Sequence, residues 1–322
     1  MFKRAGLAIL SAAVIATAPV GHAATVLTLE GGFVGMQHIL HFTPTQLRGD
    51  LCAAPNHCQP VDYFALPGDA FNARGATDVQ NAIDALPAGE QVVLFGHSQG
   101  GQVIYTDLRR WAADPAGAPD PARVSWVSIG NPENPYGGRR PKTEGAGAQW
   151  LPPDTAYQGT EVIRQYDGWA DWPDDPSNLL AVANAVAGMF SIHTNYRQVD
   201  LDDPNNVRFT PDVAGQPGNV TYVWVPTKTL PLAAWAGPLA PALDNALRPI
   251  IEKAYHRPVD IPDPTPAASA ATQSARTAAL QPPVRAKAAS RRSGVPAASA
   301  SKPGRDAPVR HRVNTRAARG SD

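Results

Sequence analysis

Cysteine is scarce in this chain, and so are metal-ligand clusters and spanning apolar runs. Only two of the 322 residues are cysteines, Cys52 and Cys58, in Leu51-Cys52-Ala53-Ala54-Pro55-Asn56-His57-Cys58. Two thiols with His57 beside them and no fourth partner do not make a zinc site. His38 and His41 lie three apart but are joined by no carboxylate or third histidine, so no metal is expected, and no cofactor either. The one long apolar run, Ala5 to about Val20, is short for a membrane span and is interrupted by Pro19. It follows Lys3 and Arg4 and ends in Gly21-His22-Ala23, the form of an export signal cleaved after Ala23. An exported chain meets an oxidising compartment, so a Cys52–Cys58 disulfide is expected.

Aromatic residues are missing from Ile261 to Asp322, a segment of Ala, Pro, Ser and Arg. It holds 11 of the 28 basic and 3 of the 28 acidic side chains, a net of +8, which leaves −8 on the first 260 residues of a chain with no net charge. Such a segment cannot bury enough apolar surface to offset its ordering entropy, so a disordered tail is expected. It could tether the protein to an anionic wall polymer, glycan or membrane surface, or simply solubilise it. Nucleic acid is excluded as a partner, because the tail follows an export signal and no aromatics interleave its arginines. Ala24 to Asp260 remain as one well-cored domain.

Within that domain strand and helix signals alternate. Strands are expected at Val26–Leu29, Val61–Phe64, Val92–Phe95, Val124–Ile129, Val162–Tyr166 and Thr221–Val225. Helices are expected at 76–86, 99–112 and 178–189, with a further helical stretch at 230–255. Asn134 to Gly159 is dense in Gly and Pro and reads as a long loop. The alternation predicts an α/β fold with a mostly parallel sheet and helices on both faces.

The most informative stretch is Val92-Val93-Leu94-Phe95-Gly96-His97-Ser98-Gln99-Gly100. A strand runs into a G-x-S-x-G pentapeptide and an amphipathic helix runs out, which lifts Ser98 clear of the sheet on a sharp turn. A serine hydroxyl needs a base, and the base needs an orienting acid. In the α/β-hydrolase order, Ser precedes Asp, which precedes His. Asp171 is the preferred acid, three residues past the glycine that ends the strand in Tyr166-Asp167-Gly168-Trp169-Ala170-Asp171. Asp167, at the strand end itself, is the alternative. His193 is the preferred base over His256, near the end of the domain, and His311, in the tail. Negative charge developing on a substrate would be met by backbone N–H groups of Gln99 and of the Gly31-Gly32-Phe33 loop, with Gly32 and Phe33 as the donors. Trp169, Trp172 and Phe33 could wall an acyl chain or simply pack in the core.

These residues resemble the mycobacterial PE-PPE C-terminal domain. The likeness is carried by Gly96-His97-Ser98-Gln99-Gly100, Ile129-Gly130-Asn131-Pro132, Tyr166 to Pro173, Asn184 to Tyr196, and Tyr222-Val223-Trp224-Val225-Pro226-Thr227 with Leu230-Pro231-Leu232. It runs from about Val26 to Arg257. The resemblance implies a cutinase- and lipase-like α/β serine hydrolase with Ser98 as nucleophile. It also implies exported esterases, with some relatives transferring acyl groups on trehalose glycolipids. It does not choose between Asp167 and Asp171. An export signal stands where that family carries a PE or PPE helical module. The expected function is an exported esterase or lipase acting on lipid or acyl esters. The competing readings are acyl transfer on envelope glycolipids and a non-catalytic envelope-binding protein.

Overall fold

The computed structural model of the chain describes residues 23–32, 40–145 and 150–262. Residues 1–22 of the expected export signal and the tail from residue 263 lie outside the described residues, as do Phe33, His38 and His311. In chain order the elements are β1 (Ala24–Leu29), β2 (His57–Pro60), α1 (Asp69–Asp84), β3 (Gln91–His97), α2 (Gln99–Ala113), β4 (Val124–Ile129), α3 (Arg139–Glu144) and β5 (Gly159–Arg164). They continue with α4 (Leu179–Ser191), β6 (Val207–Phe209), β7 (Asp212–Val213), β8 (Gln216–Pro217), β9 (Val220–Val225), α5 (Pro231–Ala234) and α6 (Ala240–Ile251).

One sheet runs β2-β1-β3-β4-β5-β9-β6, and β7 with β8 forms a separate hairpin. Every pairing in the large sheet is parallel except that of β6 with β9. From β1 the chain moves outward to β2 and then returns to β3 on the other side of β1. The strand order therefore reverses between β1 and β3, where open α/β sheets leave a crevice at the carboxyl ends of their strands.

Side chains alternate across the sheet. Leu27, Leu29, Val92, Leu94, Val124, Trp126, Ile163, Tyr222 and Trp224 pack with Val79 and Ile83 of α1 and Val103, Ile104 and Leu108 of α2. Val26, Phe95, Val127, Ile129 and Val162 face the opposite way, onto Leu47, Tyr196 and Val199. Leu47 comes from a 3₁₀ segment, Leu47–Cys52, rather than an α-helix. A third cluster joins Tyr166 to α4, α5 and α6 through Ala181, Leu230, Ala233, Ile251 and Tyr255.

Several boundaries differ from the sequence expectation. The strand expected at Val61–Phe64 lies earlier, at His57–Pro60. Val61 N–H still donates to Thr28 O, and beyond it the chain leaves the ladder so that Tyr63 can bury its ring and donate to Glu30 O. Helix α1 begins at Asp69, ahead of the apolar stripe from Ala76. The helical stretch at 230–255 is cut into α5, a 3₁₀ turn at Gly237–Leu239 and α6, with prolines in the first turn of each piece. The Gly- and Pro-rich region at 134–159 contains α3. The Cys52–Cys58 disulfide forms and ties this segment to the edge strand β2.

Candidate active site

Ser98 sits on the turn between β3 and α2 with φ 54° and ψ −111°, a conformation that non-glycine residues adopt only under surrounding constraint. The constraint is close packing. A Cβ at Gly96 would collide with the Gly100 backbone, and one at Gly100 with Leu29 O on the neighbouring strand. Ser98 N–H donates to Ile129 O at 2.9 Å, which fixes the turn to β4. The side chain stays half-buried and reachable.

His193 follows the C-terminus of α4, and its Nε2 lies 2.8 Å from Ser98 Oγ. Its Nδ1 lies 3.0 Å from both Asp167 Oδ1 and Oδ2. With a proton on Nδ1 donated to the carboxylate, Nε2 is left to accept from the serine hydroxyl. Helix α4 comes close enough to allow this because its inner face is small. A Cβ at Gly188 would collide with Tyr166 O, and one at Gly168 with Ala185 O. The loop that carries Asp167 and the helix that leads into His193 therefore touch backbone to backbone.

The structure corrects the expected acid. Asp167, the alternative, meets His193, whereas the preferred Asp171 does not. Asp171 Oδ2 accepts from Tyr166 N–H at 2.8 Å and from Arg257 Nη2 at 2.7 Å, and Arg257 Nε lies 3.0 Å from Oδ1. The reason lies at Tyr166, whose φ of 66° turns the chain sharply as it leaves β5. That turn aims the next residue, Asp167, across the sheet edge. It sends Asp171 behind the loop, where a buried arginine neutralises it.

Asp167 is fully buried. Burial pushes its carboxyl up, but the His193 charge and hydrogen bonds from His193, Tyr196 Oη (2.7 Å) and Trp169 N–H (3.0 Å) hold it below the ordinary aspartate range. Nothing in the local sequence pattern marks Tyr196, three residues after His193, for this contact. Its hydroxyl also accepts from Arg164 N–H at 3.1 Å, so it bridges strand and acid. His97, inside the pentapeptide, is likewise unmarked by the local pattern. Its Nε2 donates to His193 O at 2.9 Å. Burial, then the neighbouring His193, lowers its pKa to about 4, so it stays neutral where it donates to the His193 backbone.

Of the expected oxyanion donors, Gln99 opens α2, where first-turn N–H groups have no intrahelical acceptor. Its side chain is tied by Nε2 to Leu66 O (2.6 Å) and Asn72 Oδ1 (3.0 Å). Gly32 runs beside it, since a Cβ there would lie 2.9 Å from Gln99 Oε1. Phe33 falls outside the described residues. The Trp169 ring lies 6.2 Å from the His193 ring. Trp169 and Trp172 both stack on the Arg139 guanidinium, at 5.4 and 5.2 Å, so they hold a cation between them. His256 is exposed and its ring faces Asp174. Among the described residues no group of three or more His, Cys, Asp or Glu could hold a metal.

A family model for the PE-PPE domain matches residues 49–256. The chain is 37% identical to "Esterase PE16" of Mycobacterium tuberculosis over 218 residues, 63% of this chain and 41% of that protein. It is 30% identical to "Diacyltrehalose acyltransferase Chp2" of the same organism over 208 residues, 57% of this chain and 55% of that one. The chain thus spans between two-fifths and just over half the length of these relatives. A cutinase-like protein from Cryptococcus sp. superposes with a TM-score of 0.34 at 17% identity, over 46% of this chain and 79% of that one.

Proposed function

The chain belongs to the PE-PPE domain family, and on that footing we propose that it is an exported serine esterase that hydrolyses lipid or other acyl esters. The observation that carries the reading is the hydrogen-bonded chain from Ser98 Oγ through His193 to Asp167. Ser98 Oγ attacks the ester carbonyl and His193 Nε2 takes its proton, while Asp167 holds the imidazole and stabilises its charge. The tetrahedral oxygen is met by the N–H groups of Gln99 and Gly32. The C–O bond to the alcohol then breaks, and His193 returns the proton to that oxygen. Water repeats the sequence against the acyl-enzyme and releases the free acid.

Export through residues 1–23, and attachment of the basic tail to an anionic envelope surface, belong to the same proposal. The relative named as a diacyltrehalose acyltransferase favours a second reading, in which a sugar hydroxyl replaces water as acceptor. The two differ only in acceptor binding and water exclusion.

The test is turnover of short and medium p-nitrophenyl esters by the full chain and by Ser98→Ala. Hydrolysis lost in the variant supports the reading, and retained hydrolysis contradicts it. A lipid donor with trehalose present separates the two acceptors. Free acid alone favours hydrolysis, and acylated sugar favours transfer.

A further inference from the structure

Every exposed residue of α4 is apolar: Leu179, Leu180, Ala183, Val186 and Phe190. Leu179, Ala183, Val186 and Phe190 recur at helical spacing and so form one stripe. The face opposite this stripe, with Ala181, Asn184, Ala185 and Gly188, is buried. Leu179 is 76% and Phe190 73% exposed, values at which a core role is excluded. Helix α5 joins α4 through Leu232 N–H and Asn184 Oδ1 at 3.0 Å, and Trp235 (78%) and Leu239 (70%) stand exposed just beyond it. No Asp, Glu, Lys or Arg occurs at 176–196 or at 229–243, although the first 260 residues carry a net negative charge. The helix that bears this stripe leads directly into His193.

We propose that the outer face of α4, extended by Trp235 and Leu239, docks on an uncharged lipid surface and so delivers acyl esters held there to Ser98. The delivery rests on the esterase reading, but the contact itself does not. The occupant follows from what the face offers. The α4 stripe exposes on the order of 400 Å² of apolar side chain, about half of what one partner contributes to a standard protein interface. It has no side-chain donor or acceptor, whereas protein interfaces carry about one hydrogen bond per 100–200 Å². An anionic surface has no cation to meet there, and the acidic charge of the surrounding domain opposes it. A neutral acyl surface asks only for apolar area, and a tryptophan at its margin suits the headgroup level.

The experiment uses the full chain carrying Ser98→Ala, so that binding is read without turnover, and sediments it with phosphatidylcholine vesicles. Binding should persist in high salt and weaken about tenfold or more in Leu179→Ser/Phe190→Ser, and likewise in Trp235→Ser. With Ser98 restored, the same variants should hydrolyse a soluble short ester like the parent and lose about tenfold on an ester embedded in the vesicles. Undiminished binding by the variants overturns the proposal. So does binding confined to phosphatidylglycerol vesicles and abolished by salt, which assigns the contact to charge. A parent dimer that the variants convert to monomer in analytical ultracentrifugation overturns it too, and gives the face to a second copy. Failure of the esterase reading is distinguishable, as a parent that binds vesicles but leaves the soluble ester intact.

Discussion

Arg257 closes on Asp171 from the far end of the domain, with Nη2 2.7 Å from Oδ2 and Nε 3.0 Å from Oδ1. Asp171 in turn accepts the backbone N–H of Tyr166, the left-handed residue that precedes Asp167. Two aspartates four positions apart therefore divide the work. One meets His193, and the other fixes the corner that aims it.

The two aspartates should separate in mutants. Asp167→Asn removes the carboxylate from His193, so ester turnover should fall by about 10³–10⁴-fold. Asp171→Asn leaves the buried Arg257 with Glu252 Oε2, at 2.8 Å, as its counter-charge, and the lost charged hydrogen bonds should cost about 1.5–3 kcal/mol of stability. Urea unfolding and p-nitrophenyl ester kinetics on both variants check this. Equal losses of turnover would contradict the division.

Tyr196→Phe removes the hydroxyl that donates to Asp167 Oδ2 and leaves the ring in place. A hydrogen bond to a charged group is worth about 1.5–3 kcal/mol. The expected result is about a tenfold fall in kcat with KM unchanged. Asp167 loses one of the bonds that keep it ionised, so its pKa should rise toward the ordinary aspartate value.

Acid should loosen the fold through His97. Its pKa in the folded protein is about 4, below the ordinary histidine value of 6.5. Between those values the unfolded chain takes up a proton that the folded protein refuses. The stability contributed is full above pH 6.5 and is lost as pH falls toward 4, by up to about 3 kcal/mol. Asp167, held low, adds a loss below the ordinary aspartate range. His97→Gln can still donate to His193 O, and should flatten the slope between pH 6.5 and 4 in chemical denaturation.

Base should act through Glu161. This residue lies in the sheet beneath α2, where Tyr105 Oη donates to it at 2.8 Å and Asn131 Nδ2 approaches to 3.4 Å. Burial lifts its carboxyl to about 8 from an ordinary value of 4.5. The folded protein keeps a proton that the unfolded chain gives up, so stability falls as pH rises from 4.5 to 8. Thermal unfolding of Glu161→Gln should lose this decline. The interval from pH 6.5 to 8 is the cleanest, since His97 no longer titrates there.

What could be read from the sequence was local. The apolar run into Gly96, the pentapeptide and the helix after it specify one strand, one turn and one helix, and Ser98 follows from them. His193 was reachable because chain order leaves few histidines after the acid. Asp167 was not separable from Asp171, since the choice depends on a left-handed turn at Tyr166 and on an arginine 86 residues away. Pairing across that distance leaves no trace in local pattern. The same holds for β6 and the β7–β8 hairpin, whose strands are too short to show a period. Prolines 231, 238 and 241 could have marked where the 230–255 stretch divides, because proline suits the first turn of a helix.

The reactivity of Ser98 is tested most directly by treating the full chain with a fluorophosphonate and mapping the labelled peptide by mass. A single adduct on Ser98 is predicted, slowed greatly in Asp167→Asn and absent in Ser98→Ala. No adduct at all, or one on another residue that persists in Ser98→Ala, would contradict it.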